Sequence, residues 1–260
     1  MQYVSISRDG PITTVTLNRP EVMNCINQDM HFELQAAFDS FAGDPTQNIC
    51  LVTGAGDKAF CAGSDVRAAA NAVSAMPTYP RCGYGGLTER FDCDKPIIAV
   101  VNGLALGGGF EIALACDLIV ASERASFGLP EPLVGAIALG GGMHRLARRI
   151  PQNLAMGMIL SSRRVSAHDA AAYGIVNEVV PHEELATAAR RWCDDILRAS
   201  PVAIKASKAI TLKGLAEPDV ETAMSKQADY PEFVEWRDSS DFIEGLCAFA
   251  ERRAPNWSGR

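Results

Sequence analysis

The segment Pro96–Glu111, PIIAVVNGLALGGGFE, decides the fold class of this chain. It opens with a continuous apolar run over Pro96–Val101, which predicts a strand buried on both faces of a sheet. A glycine-rich turn over residues 103–109 follows, and Phe110–Cys116 is predicted to be a helix. A strand that passes through a tight turn into a helix is typical of α/β folds.

The flanking sequence repeats this arrangement, because short strand patterns come in pairs through the first 130 residues. The predicted elements are a hairpin around Arg8–Pro11, a helix over Asp29–Phe41, and strands at Ile49–Thr53, Ala59–Gly63, Leu118–Ala121 and Ala125–Gly128. This repeated order of strand, strand and helix predicts stacked ββα turns. Residues 68–90 are predicted to form a short helix and then an irregular loop.

The second half of the chain is predicted to be mostly helical. The predicted helices are 142–149, 153–161, 167–173, 182–199, 201–214, 219–229 and a last one that begins at Asp241. We therefore expect an α/β core over residues 1–197 and a helical C-terminal region over residues 198–260.

Composition excludes several classes of protein. The chain has 260 residues, of which 48% are apolar and 21% charged, and its formal net charge is −7. These values exclude a largely disordered chain, a collagen-like chain and a coiled coil, and they argue against a nucleic-acid binder. The eight cysteines lack zinc-ligand spacing, no signal peptide is visible, and Ile97–Leu106 is too short to span a bilayer. We expect no metal, no membrane association and a cytoplasmic location.

Two turns are candidates for binding a negatively charged oxygen. Ala62–Val66 follows a predicted strand, and the glycines of the second turn come directly before a helix. Free N–H groups at such positions favour negative charge, so the two turns could together form an oxyanion hole. The alternatives are an ordinary turn in which Asp65 caps a helix and a glycine turn that serves only close packing. Neither turn matches a nucleophile elbow or a nucleotide fingerprint.

Two acidic residues are the candidate acid and base. Glu111 lies in an otherwise apolar helix, and Glu131 is held between two prolines. Carboxyl groups that share an apolar pocket have their pKa values pushed apart, which suits one as acid and the other as base. The alternatives are a first-turn helix residue and a solvated loop residue. Tyr84, between glycines, could line the same pocket, and His144 could reach it.

Together these segments resemble the crotonase (enoyl-CoA hydratase/isomerase) superfamily. The resemblance rests on Cys61–Val66, on Val101–Glu111 and on Ala125–Glu131, and it covers essentially the whole chain in order. Further matching segments are Asn18–Glu21, Arg164–Ala167, Tyr173–Asn177 and Glu244–Arg253.

The resemblance implies a spiral of ββα turns with a C-terminal helical region used in trimerisation, and a homotrimer or homohexamer. It implies an acyl-CoA thioester as substrate and a hydro-lyase reaction that needs no metal or redox cofactor. The backbone N–H groups of Ser64 and Gly108 would hold the thioester oxygen. Glu111 would activate water, and Glu131 would exchange the proton at Cα. The CoA moiety would lie along Met23, Ala62, Asp65 and Val66.

The chain departs from the common hydratase in two places. The run Gly135–Gly142 lacks the proline that the common enzyme has before its glycines, and the loop over residues 76–90 is similar to that of carnitinyl-CoA dehydratase-like members. These departures leave the acyl group open. Double-bond isomerisation, hydration coupled to retro-aldol cleavage and a non-catalytic binding role remain as alternatives.

Overall fold

The computed structural model describes residues 1–65 and 78–260. The chain divides into two compact units. The first contains residues 1–91 and 97–190, and the second contains residues 92–96 and 191–260. The helix that was expected at the start of residues 68–90 falls largely outside the described residues.

Two sheets form the framework of the first unit. The larger sheet has the strand order β1-β2-β3-β5-β7-β10 and the smaller has the order β4-β6-β8-β9. All neighbouring strands run parallel except β1 with β2 and β8 with β9. The strands are β1 Val4–Asp9, β2 Ile12–Leu17, β3 Ile49–Gly54, β4 Ala59–Cys61, β5 Ile97–Val101, β6 Leu104–Leu106, β7 Leu118–Ser122, β8 Ser126–Gly128, β9 Val165–Ser166 and β10 Glu178–Val180.

Successive pairs of strands give the fold its spiral character. The pairs β3/β4, β5/β6 and β7/β8 each add one strand to the larger sheet and the next strand to the smaller one. In the larger sheet Val52 pairs with Ala99, and Ala99 pairs with Ile119. Every residue of β5 is buried, as its unbroken apolar sequence predicted. The expected α/β fold built from ββα turns is confirmed.

The first unit also contains helices, which lie between and after these strands in the chain. They are α1 Gln28–Gly43, α2 Gly108–Ala115, α3 Gly142–Arg149, α4 Gln152–Ser161, α5 Ala167–Tyr173 and, continuing into the second unit, α6 Leu185–Leu197. Short 3-10 turns occur at Pro20–Val22, Tyr84–Gly86, Glu131–Val134 and His182–Glu184.

The second unit is helical. Its remaining helices are α7 Pro201–Gly214, α8 Val220–Lys226, α9 Pro231–Arg237 and α10 Ser240–Glu251, with a 3-10 turn at Gln227–Asp229. The buried carboxylate of Asp241 fastens the end of the chain, since it accepts hydrogen bonds from the Ser200 hydroxyl at 2.8 Å and from the Ser258 N–H at 2.7 Å. Among the helices of the described residues, none combines the length and apolar character needed to cross a membrane.

Several short elements differ from the sequence-based expectation. The predicted turn over residues 103–109 contains strand β6, because Gly103 lets the chain pass close to the Lys58 carbonyl and pair with β4. Strands β9 and β10 have two and three residues, which is too short to show a period of two, and helix α9 has seven. The helix predicted over residues 182–199 begins with a 3-10 turn and ends at Leu197.

Buried amide side chains fix the turn between β3 and β4. The Asn24 side chain donates to the carbonyl of Ala59 at 2.8 Å, and Asn102 donates to the carbonyls of Gly54 and Gly56 at 3.0 and 2.6 Å. These bonds satisfy carbonyl groups at the end of β3, in the turn and at the start of β4. They tie the segment before Ser64 to the segment before Gly108.

Close packing of α2 against β4 requires glycine at position 109. A Cβ at Gly109 would overlap the Cys61 carbonyl, which is backbone and cannot swing away. We expect Gly109→Ala to lower the free energy of unfolding by about 1–3 kcal/mol, the usual range for overpacking. Denaturant unfolding measures this change.

Gly157→Ala is the matched control, because Gly157 also lies in a helix interior but a Cβ there meets nothing within 4 Å. Removing a helical glycine at such a site stabilises by up to about 1 kcal/mol. Equal effects of the two substitutions would refute the close-packing argument.

Candidate active site

The segment that contains Ser64 leaves one N–H group without a backbone partner. The N–H of Ile26 donates to the Gly63 carbonyl at 2.9 Å, and the N–H of Asp65 donates to the Ile26 carbonyl at 3.0 Å. Extended backbone alternates the direction of its N–H groups, so the N–H of Ser64 points away from this pairing. Within residues 1–65 and 78–260, no backbone carbonyl accepts from it.

The N–H of Gly108 lies beside this segment. Gly108 is the first residue of α2, where an N–H has no partner within the helix. Its neighbour Gly107 has φ +53° and donates its own N–H to the Gly128 carbonyl at 2.9 Å. A Cβ at Gly63 would lie 3.5 Å from the Gly108 nitrogen. The two glycine turns that the sequence singled out are therefore in contact, next to the positive end of a helix dipole.

Glu111 lies one turn further along α2 and is 3% exposed. Its Oε1 accepts a hydrogen bond from the Gly142 N–H at 2.8 Å, and a Cβ at Gly140 would lie 2.7 Å from its Oε2. Burial raises the pKa of this carboxyl from 4.5 to about 7, and the negative charge of Glu131 adds to the increase. The Gly142 N–H and the Arg145 charge act in the opposite direction.

Glu131 begins the 3-10 turn that follows β8, and its carboxyl reaches back to α2. A Cβ at Gly107 would lie 3.0 Å from its Oε1. Its Oε2 is buried and has no hydrogen-bond partner among the described residues. Burial raises the pKa of this carboxyl too. An unpartnered buried carboxylate oxygen is costly, and such groups concentrate where protons are transferred.

Tyr84 lies against the same glycine turn. The residue is 4% exposed, and its hydroxyl oxygen is 3.1 Å from the Ser64 Oγ. A Cβ at Gly108 would overlap its phenol ring. Its ring also contacts those of His31 and Tyr79, with centroids 4.6 and 5.7 Å away. The structure thus brings Tyr84, Ser64 and Gly108 together.

The residues expected along the CoA moiety form part of one edge of this region. The Met23 carbonyl accepts from the Ala62 N–H at 3.0 Å, and the Met23 side chain is 43% exposed. The Asp65 carboxylate pairs with both terminal nitrogens of Arg19 at 3.1 Å, so its side chain helps to order the Arg19 loop. Val66 lies outside the described residues.

The helix after Glu131 contributes Arg145 rather than His144. The His144 side chain is exposed, whereas the Arg145 guanidinium donates to the Thr88 carbonyl at 2.6 Å and to the Gly140 carbonyl at 3.4 Å. It thereby holds the turn whose N–H groups face Glu111. Sequence analysis missed Arg145, and the available signal was its position in the first turn of α3, three residues after Gly142.

The sequence and the fold of this chain are similar to those of known proteins. A family model described as enoyl-CoA hydratase/isomerase matches residues 7–260. The carnitinyl-CoA dehydratase of Salmonella typhi is 42% identical, with 100% of this chain and 99% of that protein covered. The enoyl-CoA hydratase structure from Mycobacterium tuberculosis H37Rv has a TM-score of 0.89 at 36% identity and 99% coverage of both chains. That from Bacillus anthracis has a TM-score of 0.91 at 31% identity and full coverage of both.

Burial of Glu111 makes stability depend on pH. Because the folded state raises the pKa of this carboxyl from 4.5 to about 7, its contribution to stability is fully present below pH 4.5 and is lost as the pH rises to about 7. Glu111→Gln removes this loss of stability at high pH, because the glutamine amide does not ionise. At pH 8 we expect the variant to be more stable than the wild type by up to about 3 kcal/mol, with no such gain at pH 4.

Urea unfolding at the two pH values measures the difference. Glu123→Gln, which removes a carboxylate from an exposed position, is the control. A gain at pH 8 that is no larger for Glu111→Gln than for Glu123→Gln would contradict the buried-carboxyl interpretation.

Proposed function

The chain belongs to the enoyl-CoA hydratase/isomerase family, and from this membership we propose that it is a hydro-lyase that removes water from 3-hydroxyacyl-CoA thioesters and adds it to 2-enoyl-CoA thioesters. The observation that carries the proposal is a pair of buried carboxyl groups next to one turn: Glu131 lies against Gly107, and Glu111 lies one helical turn beyond Gly108. A hydro-lyase reaction needs two proton-transfer groups and a site for a developing oxyanion, and this arrangement supplies both.

The thioester oxygen would accept hydrogen bonds from the N–H groups of Ser64 and Gly108. Negative charge develops on that oxygen when the bond between Cα and its proton breaks. Donors that are already in place stabilise the charged form more than the neutral thioester, and this difference lowers the barrier. Removing one donor of such a pair typically costs about 10²–10³ in rate.

The two carboxyl groups would move the protons. In the dehydration direction Glu131 takes the proton from Cα, and the electron pair of that bond passes to the thioester oxygen. The carbonyl then re-forms, the enolate electron pair makes the double bond between Cα and Cβ, and the bond between Cβ and its hydroxyl oxygen breaks. The leaving hydroxyl takes a proton from Glu111, and water leaves. In the hydration direction each step reverses, so Glu111 takes a proton from water and Glu131 returns one to Cα. These atoms balance without any metal or redox cofactor.

The protonation of the pair suits the start of dehydration. Glu111, whose pKa is raised to about 7, keeps a proton to donate near neutral pH. Glu131 then has to be the carboxylate, and its Oε2 has no hydrogen bond that a proton transfer would have to break. Because two such groups titrate as a coupled pair, the active form in both directions is the pair with one proton.

The acyl group is proposed from the relatives. Proteins named carnitinyl-CoA dehydratase are 41–42% identical to this chain over its full length. We therefore take a short acyl group with a 3-hydroxyl and a trimethylammonium group at C4 as the first substrate to test. Similarity to the enoyl-CoA hydratase structures makes a simple short-chain 2-enoyl group the second.

We also propose a homotrimer or homohexamer in the cytoplasm. The second unit exposes apolar side chains that an assembly would cover: Leu212, Leu215, Val220, Met224, Ile243, Leu246 and Phe249. Within the part of the chain that the structure describes, no disulfide joins the cysteines, which suits a reducing compartment.

The test of the proposed function is loss or gain of the conjugated enoyl-thioester absorbance. Purified protein is assayed with 4-trimethylammonio-, short straight-chain, branched and aromatic 2-enoyl-CoA thioesters. We expect turnover of at least one of them and a fall in kcat of at least about 100-fold in both Glu111→Gln and Glu131→Gln, since each removes a proton-transfer group.

Glu123→Gln again serves as the control and should retain wild-type rates. No turnover of any thioester, or turnover that survives both substitutions, would refute the hydro-lyase proposal.

The pH dependence of the reaction tests whether the charge of Arg145 lowers the pKa of Glu111. With a 3-hydroxyacyl-CoA as substrate, the rate of dehydration should fall as the pH rises through about 7, where Glu111 loses the proton that it donates. The Arg145 charge favours the ionised carboxyl, so Arg145→Met should move this fall to higher pH. Arg145→Lys keeps the charge and should move it less.

Measurement of kcat/KM against pH distinguishes these outcomes. Arg148→Met, on the exposed side of the same helix, should leave the profile in place. A profile that Arg145→Met leaves unmoved or shifts to lower pH would show that Arg145 has no electrostatic effect on Glu111.

A further inference from the structure

The loop that carries Tyr84 is fastened to helix α1 in a way that fixes the tyrosine. The N–H of Gly85 donates to the His31 Nδ1 at 2.9 Å, and the N–H of Cys82 donates to the Gln35 side chain at 2.9 Å. Burial lowers the pKa of His31 to about 4, so the ring stays neutral and keeps its proton on the other nitrogen. A neutral ring whose Nδ1 accepts a bond holds one tautomer.

The packing of the loop leaves Tyr84 little freedom. Its ring meets the His31 ring edge-on at 84°. Gly86 lies so close to α1 that a Cβ there would overlap the Gln35 backbone, and Gly83, Gly85 and Gly86 all have positive φ. Only glycine adopts a positive φ without cost, so these three residues suit one loop conformation, and the contacts with α1 hold the loop in it.

This conformation places the Tyr84 hydroxyl at the two candidate oxyanion donors. The hydroxyl oxygen is 3.1 Å from the Ser64 Oγ, and the phenol ring lies against the Cα of Gly108. Burial raises the pKa of the hydroxyl above its usual range, with the charge of Glu111 adding to the increase, so the hydroxyl stays a proton donor. Its bond to Ser64 works in either direction, because each oxygen can donate.

We propose that the Tyr84 hydroxyl is a third hydrogen-bond donor to the thioester oxygen, beside the N–H groups of Ser64 and Gly108. The Ser64 hydroxyl then donates to the Tyr84 oxygen, and the Tyr84 proton turns to the thioester. A chain of two hydroxyl donors polarises the last one and strengthens its bond to a charged acceptor. Rigid support by His31 and Gln35 means that no reorganisation is needed when charge develops. This inference rests on the proposed function, since it needs a thioester oxygen at that place.

The first test measures the thioester carbonyl directly, without turnover. Butanoyl-CoA or its 4-trimethylammonio derivative, chosen to match the acyl group that the wild type hydrates, is labelled with ¹³C at the carbonyl. Its bound infrared stretch is recorded by isotope-edited difference. Donors to the oxygen lower this frequency. We expect the frequency to rise in Tyr84→Phe and affinity for the thioester to change by less than about tenfold, as for one neutral hydrogen bond.

The second test measures kcat on the best enoyl thioester. We expect Tyr84→Phe to lower kcat by at least about tenfold, with KM little changed, because the third donor acts mainly on the charged state. Tyr79→Phe is the matched comparison: it removes a hydroxyl from the adjacent ring of the same cluster, and it should change the carbonyl frequency and kcat much less than Tyr84→Phe does.

Ser64→Ala distinguishes a direct role from an indirect one, because it keeps the backbone N–H and the tyrosine. It should shift the carbonyl less than Tyr84→Phe does. Equal shifts in the two variants would show that Tyr84 acts only through Ser64 and would overturn the inference. Wild-type frequency and kcat in Tyr84→Phe would also overturn it, and so would equal losses in Tyr84→Phe and Tyr79→Phe.

The two proposals fail in different ways. A wild-type protein that does not lower the carbonyl frequency at all refutes the oxyanion hole and, with it, the third donor. A lowered frequency that is the same in the wild type and in Tyr84→Phe refutes only the third donor.

Discussion

The contact between helix α2 and strand β4 is the constraint on which the rest of the site depends. Gly109 lies against the Cys61 carbonyl so closely that no side chain fits, and this contact brings Gly108 beside Gly63. Any larger residue at position 109 would push the helix out and separate the N–H of Gly108 from that of Ser64. Glycine in a helix loses more conformational freedom on folding than other residues. The fold tolerates this loss, and the resulting contact brings the first residue of α2, Gly108, next to the segment that carries Ser64.

The same helix determines the electrostatics of the site. Glu111 lies one turn beyond Gly108 and is buried, and the carboxyl group of Glu131 lies against Gly107. Burial makes ionisation of both carboxyl groups less favourable, and the charge of Glu131 makes ionisation of Glu111 less favourable still. The N–H of Gly142 and the charge of Arg145 moderate this effect for Glu111. The protein thus keeps a destabilising pair of groups where chemistry needs them, a common cost of function.

Sequence alone predicted most of the longer helices and strands and the class of reaction, but it did not predict the distances between the side chains of the site. The apolar run of β5 and the glycines before α2 identified the repeating unit, because burial on both faces and close packing leave strong local signals. The short strands β6, β9 and β10 left none, since two or three residues define no period. Glu111 and Glu131 stood out as acids in apolar or proline-fixed surroundings. The contact of Tyr84 with Ser64 joins residues that are far apart in sequence. The contact of Arg145 with the Gly140 carbonyl is made from a helix whose sequence looks exposed. Only the folded chain reveals them.

Charge conservation links these observations to one mechanism. In the proposed mechanism, the negative charge of Glu131 would move to the thioester oxygen, next to Ser64 and Gly108, when Glu131 takes the proton from Cα. When the hydroxyl leaves with the proton of Glu111, the charge would move on to that carboxylate, next to the Gly142 N–H. The pocket would then hold a single negative charge throughout, and among the described residues the Glu131 Oε2 has no hydrogen bond that the first transfer would break. A second charge in so buried a place would be costly. Burial raises the pKa of both carboxyl groups, and it thereby favours the state of the pair that carries only one charge.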